Sequence, residues 1–121
     1  MKRPSSASAD PAPDLDPKSF HILAVVARQP LHGYAIRQEV EAATEGAVRL
    51  WPATLYGSLA ALAGGGLLVE TDSPVGGDDD PRRRYYAITE AGRRALRAEA
   101  DRLQALARWA HAQLGRGEAA P

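Results

Sequence analysis

Apolar side chains recur with helical spacing in four stretches of the chain, and with strand alternation in one. Between Lys18 and Gln29, Phe20, Ile22, Leu23, Val25 and Val26 are so dense that nearly every face of a helix would be apolar. Such a helix is buried. Pro17 suits its first turn, where the missing amide hydrogen has no intrahelical acceptor to lose, and Pro30 ends it. Leu31-His32-Gly33 forms a short connection to a second helix from about Tyr34 to Thr44, with Ile36, Val40 and Ala43 at i, i+4 and i+7. Gly46 suits its C-terminal cap.

Val48-Arg49-Leu50 is long enough only for a minor strand, and Pro52 opens a third helix with Leu55, Leu59 and Leu62 at i, i+4 and i+7. The opposite face carries Ala53, Thr54, Gly57, Ser58 and Ala61, all small. Gly57 alone costs about 1 kcal/mol relative to Ala inside a helix. A surface pared down in this way suits close approach to another large object, or is simply the surface of an Ala-rich helix. Gly64-Gly65-Gly66 stops the helix, and Leu67 to Thr71 and Arg82 to Thr89 then read as two strands around a turn-rich segment from Asp72 to Pro81. In the second strand Tyr86 and Ile88 alternate with Tyr85 and Ala87, so one face packs inward while arginines point out.

Thr89 is an N-cap for the last helix, with Glu90 at its positive end, although Gly92 stands where a full capping box needs Glu or Gln. From Glu90 to about Leu114, Leu96, Ala100, Leu103, Ala107, Ala110 and Leu114 repeat at alternating spacings of four and three. This is a heptad stripe, widened by Leu106 and Trp109, and a partner helix from a second copy is the simplest way to bury it. Packing within one chain is the alternative.

The remaining segments are read as tails. Residues 1 to 16 hold one large apolar side chain, Leu15, too little to offset the ordering entropy, and the chain beyond Gly115 is expected to fray. The expected organisation is a disordered tail over 1–16, a winged helix DNA-binding domain over 17–89, a dimerisation helix over 90–114 and a frayed tail over 115–121. With 121 residues and no cysteine, one small domain without disulfides accounts for the chain. The longest apolar run, Ile22 to Ala27, is far short of the roughly 20 residues that span a bilayer. Met1-Lys2-Arg3 begins like a signal peptide, but the Ser-, Ala-, Pro- and Asp-rich stretch after it has no apolar core, so a cytoplasmic location is expected.

Fifteen basic and fifteen acidic residues leave no net charge, which argues against binding nucleic acid by bulk electrostatics. The distribution changes this picture. Nine arginines against three acids lie between Pro81 and Gly117, and Arg outnumbers Lys thirteen to two, supplying forked donors suited to phosphate. The stretch from Glu39 to Asp80 is acidic.

Three helices, two strands joined by a basic loop and a long helix make the order of a winged helix-turn-helix with a C-terminal dimerisation helix. The fold class expected is mainly α with a small β-hairpin. The chain also resembles the PadR-like transcriptional regulators over roughly Lys18 to Leu114. Three stretches carry the resemblance: Leu31-His32-Gly33-Tyr34-Ala35-Ile36; Ala53-Thr54-Leu55-Tyr56 with Leu59, Leu62 and Gly66-Leu67; and Arg83-Arg84-Tyr85-Tyr86-Ala87-Ile88-Thr89-Glu90-Ala91-Gly92. The single C-terminal helix resembles the shorter branch of that family. The resemblance implies a homodimeric regulator, usually a repressor, on an inverted-repeat operator, with release by a small planar or hydrophobic effector in many members. Two departures stand out. Long charged side chains are common in the family between Leu59 and Gly66, where this chain has Ala60, Ala61, Ala63, Gly64 and Gly65. Pro and Leu often follow the helix-three tyrosine, where Gly57 and Ser58 stand here.

Candidate DNA contacts follow from chemistry and position. Thr54 and Ser58 are the hydrogen-bonding side chains on the small face of helix three, and hydroxyls bond phosphate oxygens or base edges. Tyr56 and Tyr34 can donate to phosphates or pack as half-buried core tyrosines; helix-two amides favour an anion near Tyr34. His32 caps or packs. Arg82, Arg83 and Arg84 are the electrostatic candidates, facing backbone or minor groove, or pairing with Asp78, Asp79 and Asp80. Those acids diverge and no His or Cys joins them, so no metal site and no cofactor are expected.

Phe20, Leu103, Leu106 and Trp109 form a candidate effector lining, with Trp109 as dimer core the alternative and Trp51 a further aromatic able to stack. The proposed dimer seam comprises Leu96, Ala100, Leu103, Ala107, Ala110 and Leu114. Catalysis is not expected: no cysteine is present, His21, His32 and His111 lie on separate elements, and no nucleophile or phosphate-loop pattern appears. The expected partners are double-stranded DNA, a second copy and a small hydrophobic or aromatic effector, with no membrane. The alternative is a dimeric winged-helix module that binds a protein or small ligand without DNA.

Overall fold

The computed structural model of the chain describes residues 15–72 and 83–119, and the readings of residues 1 to 14, of Asp78 to Asp80 and of Arg82 fall outside it. Four helices, α1 (Pro17–Val26), α2 (Gly33–Ala43), α3 (Pro52–Gly64) and α4 (Glu90–Ala119), combine with three short strands, β1 (Leu31–His32), β2 (Leu68–Thr71) and β3 (Tyr85–Ile88). The strands form one antiparallel sheet in the order β1-β3-β2. Leu31 pairs with Tyr86 and His32 with Tyr85 on one side of β3, and Glu70 and Thr71 pair with the same two residues on the other.

The core forms where the apolar faces of α1, α2 and α3 meet the sheet. Ile22, Leu23, Ile36, Val40, Leu50, Leu55 and Leu59 are fully sequestered, with Leu62, Leu67, Leu68, Tyr86 and Ala95 closing around them. Burial of this apolar surface is the main driving force for the fold.

Local signals set the element ends. Pro17 and Pro52 occupy first-turn positions as expected. The α2 helix ends through Thr44, and the Gly46 amide reaches back to the Glu41 carbonyl at 2.8 Å with a positive φ of 84°, a geometry glycine adopts without strain. Thr89 caps α4, its Oγ1 accepting from the Gly92 amide at 2.9 Å while its hydroxyl donates to the Gly66 carbonyl at 2.6 Å.

The structure departs from the sequence reading in several places. Leu15 is buried in the core and Asp16 caps α1, accepting from the Ser19 amide at 2.7 Å. These two residues are thus part of the fold rather than of the tail. The first helix ends at Val26, before Gln29, and the 31–33 connection contains a strand, which extends the expected hairpin to three strands. Val48-Arg49-Leu50 is not a strand; Leu50 simply drops into the core. Tyr85 is buried as well as Tyr86, because β3 lies between two strands and the His32 ring covers Tyr85 edge-on at 5.3 Å. The last helix continues to Ala119, where fraying from Gly115 was expected. Gly57 does not break α3, which is continuous. Among the described residues no helix is long and apolar enough to cross a membrane.

Candidate nucleic-acid interface

The start of α2, the middle of α3 and the entry to β3 converge on one cavity of about 380 Å³, lined by His32, Gly33, Tyr34, Tyr56, Arg83, Arg84 and Tyr86. The first turn of a helix presents amides without intrahelical acceptors and a partial positive charge. His32 takes one of these amides, its Nδ1 accepting from Ala35 at 3.2 Å, so the capping reading of this residue holds. Gly33 permits the convergence. A Cβ there would lie 2.9 Å from the Tyr56 hydroxyl oxygen, so the tyrosine tip rests directly on the α2 backbone.

The positive side of the cavity comes from β3 and the residues before it. Arg83 Nη1 approaches His32 Nε2 at 3.3 Å, and Arg84 Nη1 donates to Glu70 Oε1 at 2.9 Å. A neutral imidazole has a single acceptor nitrogen, so His32 serves either the α2 cap or Arg83 at a given moment. The Arg84–Glu70 pair is largely exposed, and pairs of this kind contribute only about 0 to 1 kcal/mol. The Arg84 guanidinium can therefore be recruited by a competing anion. Burial, the nearby Glu70 carboxylate and Tyr56 push the Tyr86 phenol above its ordinary value, against a smaller opposing effect of Arg84, so it stays a proton donor.

The outward face of α3 is bare. Ala53, Gly57, Ala60, Ala61 and Gly64 are exposed, and Tyr56 borders this strip with 55% of its surface open. Thr54 and Ser58 sit half-buried on its flank. Polar reach near α3 comes from its neighbours, which include Tyr34, 57% exposed at the start of α2. Trp51, exposed at the α3 N-terminus, carries the Arg37 guanidinium over its ring at 5.6 Å.

The effector and seam candidates divide along α4. Ala91, Ala95 and Leu96 pack on the chain's own core, and Glu99 is buried, its carboxylate bonded to Arg102 and held below the usual carboxylate range by that guanidinium. From Ala100 to Gly117 every residue is exposed, including Leu103, Ala107, Ala110, Leu114, Leu106 and Trp109. Phe20 and Leu103 do meet, lining a groove of about 400 Å³ between α1 and α4 with Leu15, Pro17, His21, Glu99 and Arg102. Leu106 and Trp109 lie outside it, farther along α4.

Two contributors escaped the sequence reading. Tyr86 belongs to the cavity, although strand alternation marked it only as inward-facing. Gly92 is where α4 touches the turn before β2: a Cβ there would fall far inside contact distance of the Leu67 carbonyl oxygen and 2.8 Å from Ile88 Cγ1. Its place in the capping-box position was the visible signal.

The sequence matches the model of the transcriptional regulator PadR-like family over residues 22–98. No curated protein matches it. Among solved structures, a PadR family transcription regulator from Clostridium difficile R20291 is similar at a TM-score of 0.67 and 21% identity, over 80% of this chain and 97% of that one. RosR of H. salinarum is 29% identical with a TM-score of 0.56, over 77% of this chain and 74% of its own. Bacillus subtilis PadR, solved in complex with operator DNA, is 19% identical with a TM-score of 0.54, over 65% of this chain and 44% of its own.

Proposed function

The chain belongs to the PadR-like family of transcriptional regulators, and from that premise we propose that it binds operator DNA sequence-specifically as a homodimer in the cytoplasm. Residues 17–89 are the DNA-binding winged helix, and helix 90–114 is the dimerisation element. Output is repression at an inverted-repeat operator, relieved by a small hydrophobic or aromatic effector.

The observation that carries this reading is the joining of a bare α3 face to a cationic, hydroxyl-rich cavity at the α2 N-terminus. Small side chains let the α3 backbone sink into a major groove, while Tyr34, Tyr56, Arg83 and Arg84 meet the flanking backbone. Arg82 extends the same basic run in sequence. Thr54 and Ser58, on the flank of α3, are placed to meet base edges or phosphates at the groove wall. Dimerisation is supported by the exposed heptad stripe of α4, since an uncovered row of leucines next to Trp109 favours a partner helix. The effector reading is supported by the groove under Phe20 and Leu103, which is mostly apolar but for His21 and the Glu99–Arg102 pair.

The test is binding of the purified protein to its own upstream DNA and to a scrambled duplex across a salt series. Tight binding to the native fragment alone, at one dimer per inverted repeat, is expected. Equal and weak binding to both at low salt would overturn the reading in favour of a winged-helix module with a protein or small-molecule partner.

A further inference from the structure

The residue that opens α3 breaks a local rule. Trp51 stands at the N-cap, a position that favours a short side chain whose oxygen can accept from the free amides of the first turn. An indole carries a donor and no acceptor, and Trp51 makes no side-chain capping bond. Burial does not compensate, since 58% of the residue's surface is exposed. Departures of this kind collect at functional positions, and a tryptophan that neither caps its helix nor enters the core calls for a contact outside the chain.

The ring is nonetheless held in place. Arg37, on α2, lies with its guanidinium carbon 5.6 Å from the ring centroid. No carboxylate pairs with Arg37 among the described residues, so its charge is directed to the π face of the indole.

The surface beside the ring narrows what it can read. The exposed strip of α3, formed by Ala53, Gly57, Ala60, Ala61 and Gly64, has no donor or acceptor on its side chains. An apolar surface in a major groove tells base pairs apart through the 5-methyl group of thymine, the one apolar group that base edges present there. In helix-turn-helix docking, the residues at the N-terminal end of the recognition helix are the ones that meet base edges. Trp51 is the largest apolar side chain exposed at that end of α3.

We propose that Trp51 is a specificity-determining residue, its indole packing on the 5-methyl group of one thymine in each half-site, with Arg37 as the positioning residue that holds the ring. The proposal rests on the regulator reading and adds to it the identity of a base that is read.

The test replaces the thymines of the protein's own upstream fragment one at a time by deoxyuridine, which keeps the base pair and removes only the methyl group. Wild-type affinity should fall about three- to fivefold at one thymine per half-site, as loss of one buried methyl predicts, and stay unchanged at the others. Trp51→Ser should bind the thymine and deoxyuridine duplexes equally, at the affinity wild type shows for deoxyuridine or below. Serine is a favoured N-cap, so the melting temperature of this variant should be unchanged or higher, which separates a lost contact from a lost fold. Arg37→Met, which keeps a long side chain and removes the charge, should bring the thymine preference closer to one without abolishing it. Operator binding by wild type with no thymine-sensitive position, or a thymine preference that persists in Trp51→Ser, would overturn the contact and leave the regulator reading standing. Equal and weak binding to the native and scrambled duplexes would remove both.

Discussion

Helices α3 and α4 carry apolar stripes of similar period, and the fold treats them in opposite ways. In α3, Leu55, Leu59 and Leu62 sink into the core of their own chain and leave small residues outside. In α4, the stripe leaves the domain after Glu99, and Leu103, Leu106, Trp109 and Leu114 stay exposed, Trp109 by 62%. Periodicity states that a face is to be covered; the sizes on the opposite face state by what. A helix with large side chains inward and small ones outward is finished as a folding element and open to close approach. One that projects its large side chains into solvent calls for another apolar surface.

The contrast is most severely tested at matched leucines. Leu59→Ala opens a cavity in a closed core and should cost about 2–5 kcal/mol, read by chemical denaturation and independent of protein concentration. If the cost falls below about 1 kcal/mol, α3 is not the buried partner described above. On the dimer proposed above, Leu103→Asp should leave the domain folded but raise the dissociation constant about a hundredfold or more, because a charge would then be buried at the seam. Sedimentation velocity reads this, and an unchanged dimer would remove α4 from the interface.

Gly57 sharpens the other half of the comparison. A Cβ there meets nothing within 4 Å, so Gly57→Ala should stabilise the fold by up to about 1 kcal/mol. Gly57→Leu should keep that gain and yet weaken duplex binding tenfold or more, as a gel-shift titration would show. Undiminished binding would mean that the bare face is not the DNA-facing one. The smallest effect expected is at the root of the α4 projection. The Glu99 carboxyl titrates below its ordinary value in the folded chain, chiefly through its bond to Arg102, so its contribution is present above the ordinary carboxylate range and fades as pH falls below it. Arg102→Met should flatten that acid-side decline in the melting temperature and leave the profile at neutral pH unchanged.

Much of this architecture was legible in the chain. Leu55, Leu59 and Leu62 predicted the buried face of α3, and Pro17, Gly46 and Thr89 marked helix ends through local chemistry that needs no tertiary context. What escaped depended on distant partners. β1 is two residues long and exists because Leu31 and His32 pair with Tyr86 and Tyr85, more than fifty positions away, which no local pattern signals. Asp16 and Leu15 looked like tail because the segment before them is polar, whereas one cap and one buried side chain suffice to dock them. The hydroxyl-rich cavity was half visible: Tyr34, Tyr56, Arg83 and Arg84 were singled out by type and position. Tyr86 joined them only once the central place of β3 was known.

The contact at Gly92 also has mechanical meaning. With no side chain in the way, α4 lies backbone against backbone on the turn before β2, and Arg93 pins the same region to the end of α1 through the Ala27 carbonyl at 3.0 Å. The helix rising from this joint has 30 residues and is therefore about 45 Å long. Only the part beyond Glu99 projects from the core, an arm of about 30 Å, and a tilt of about ten degrees would carry its tip roughly 5 Å, about one helical turn. The anchored stretch of α4 from Gly92 to Glu99 is the short arm of a lever whose long arm is the exposed helix, so a small displacement at the domain is magnified at the tip.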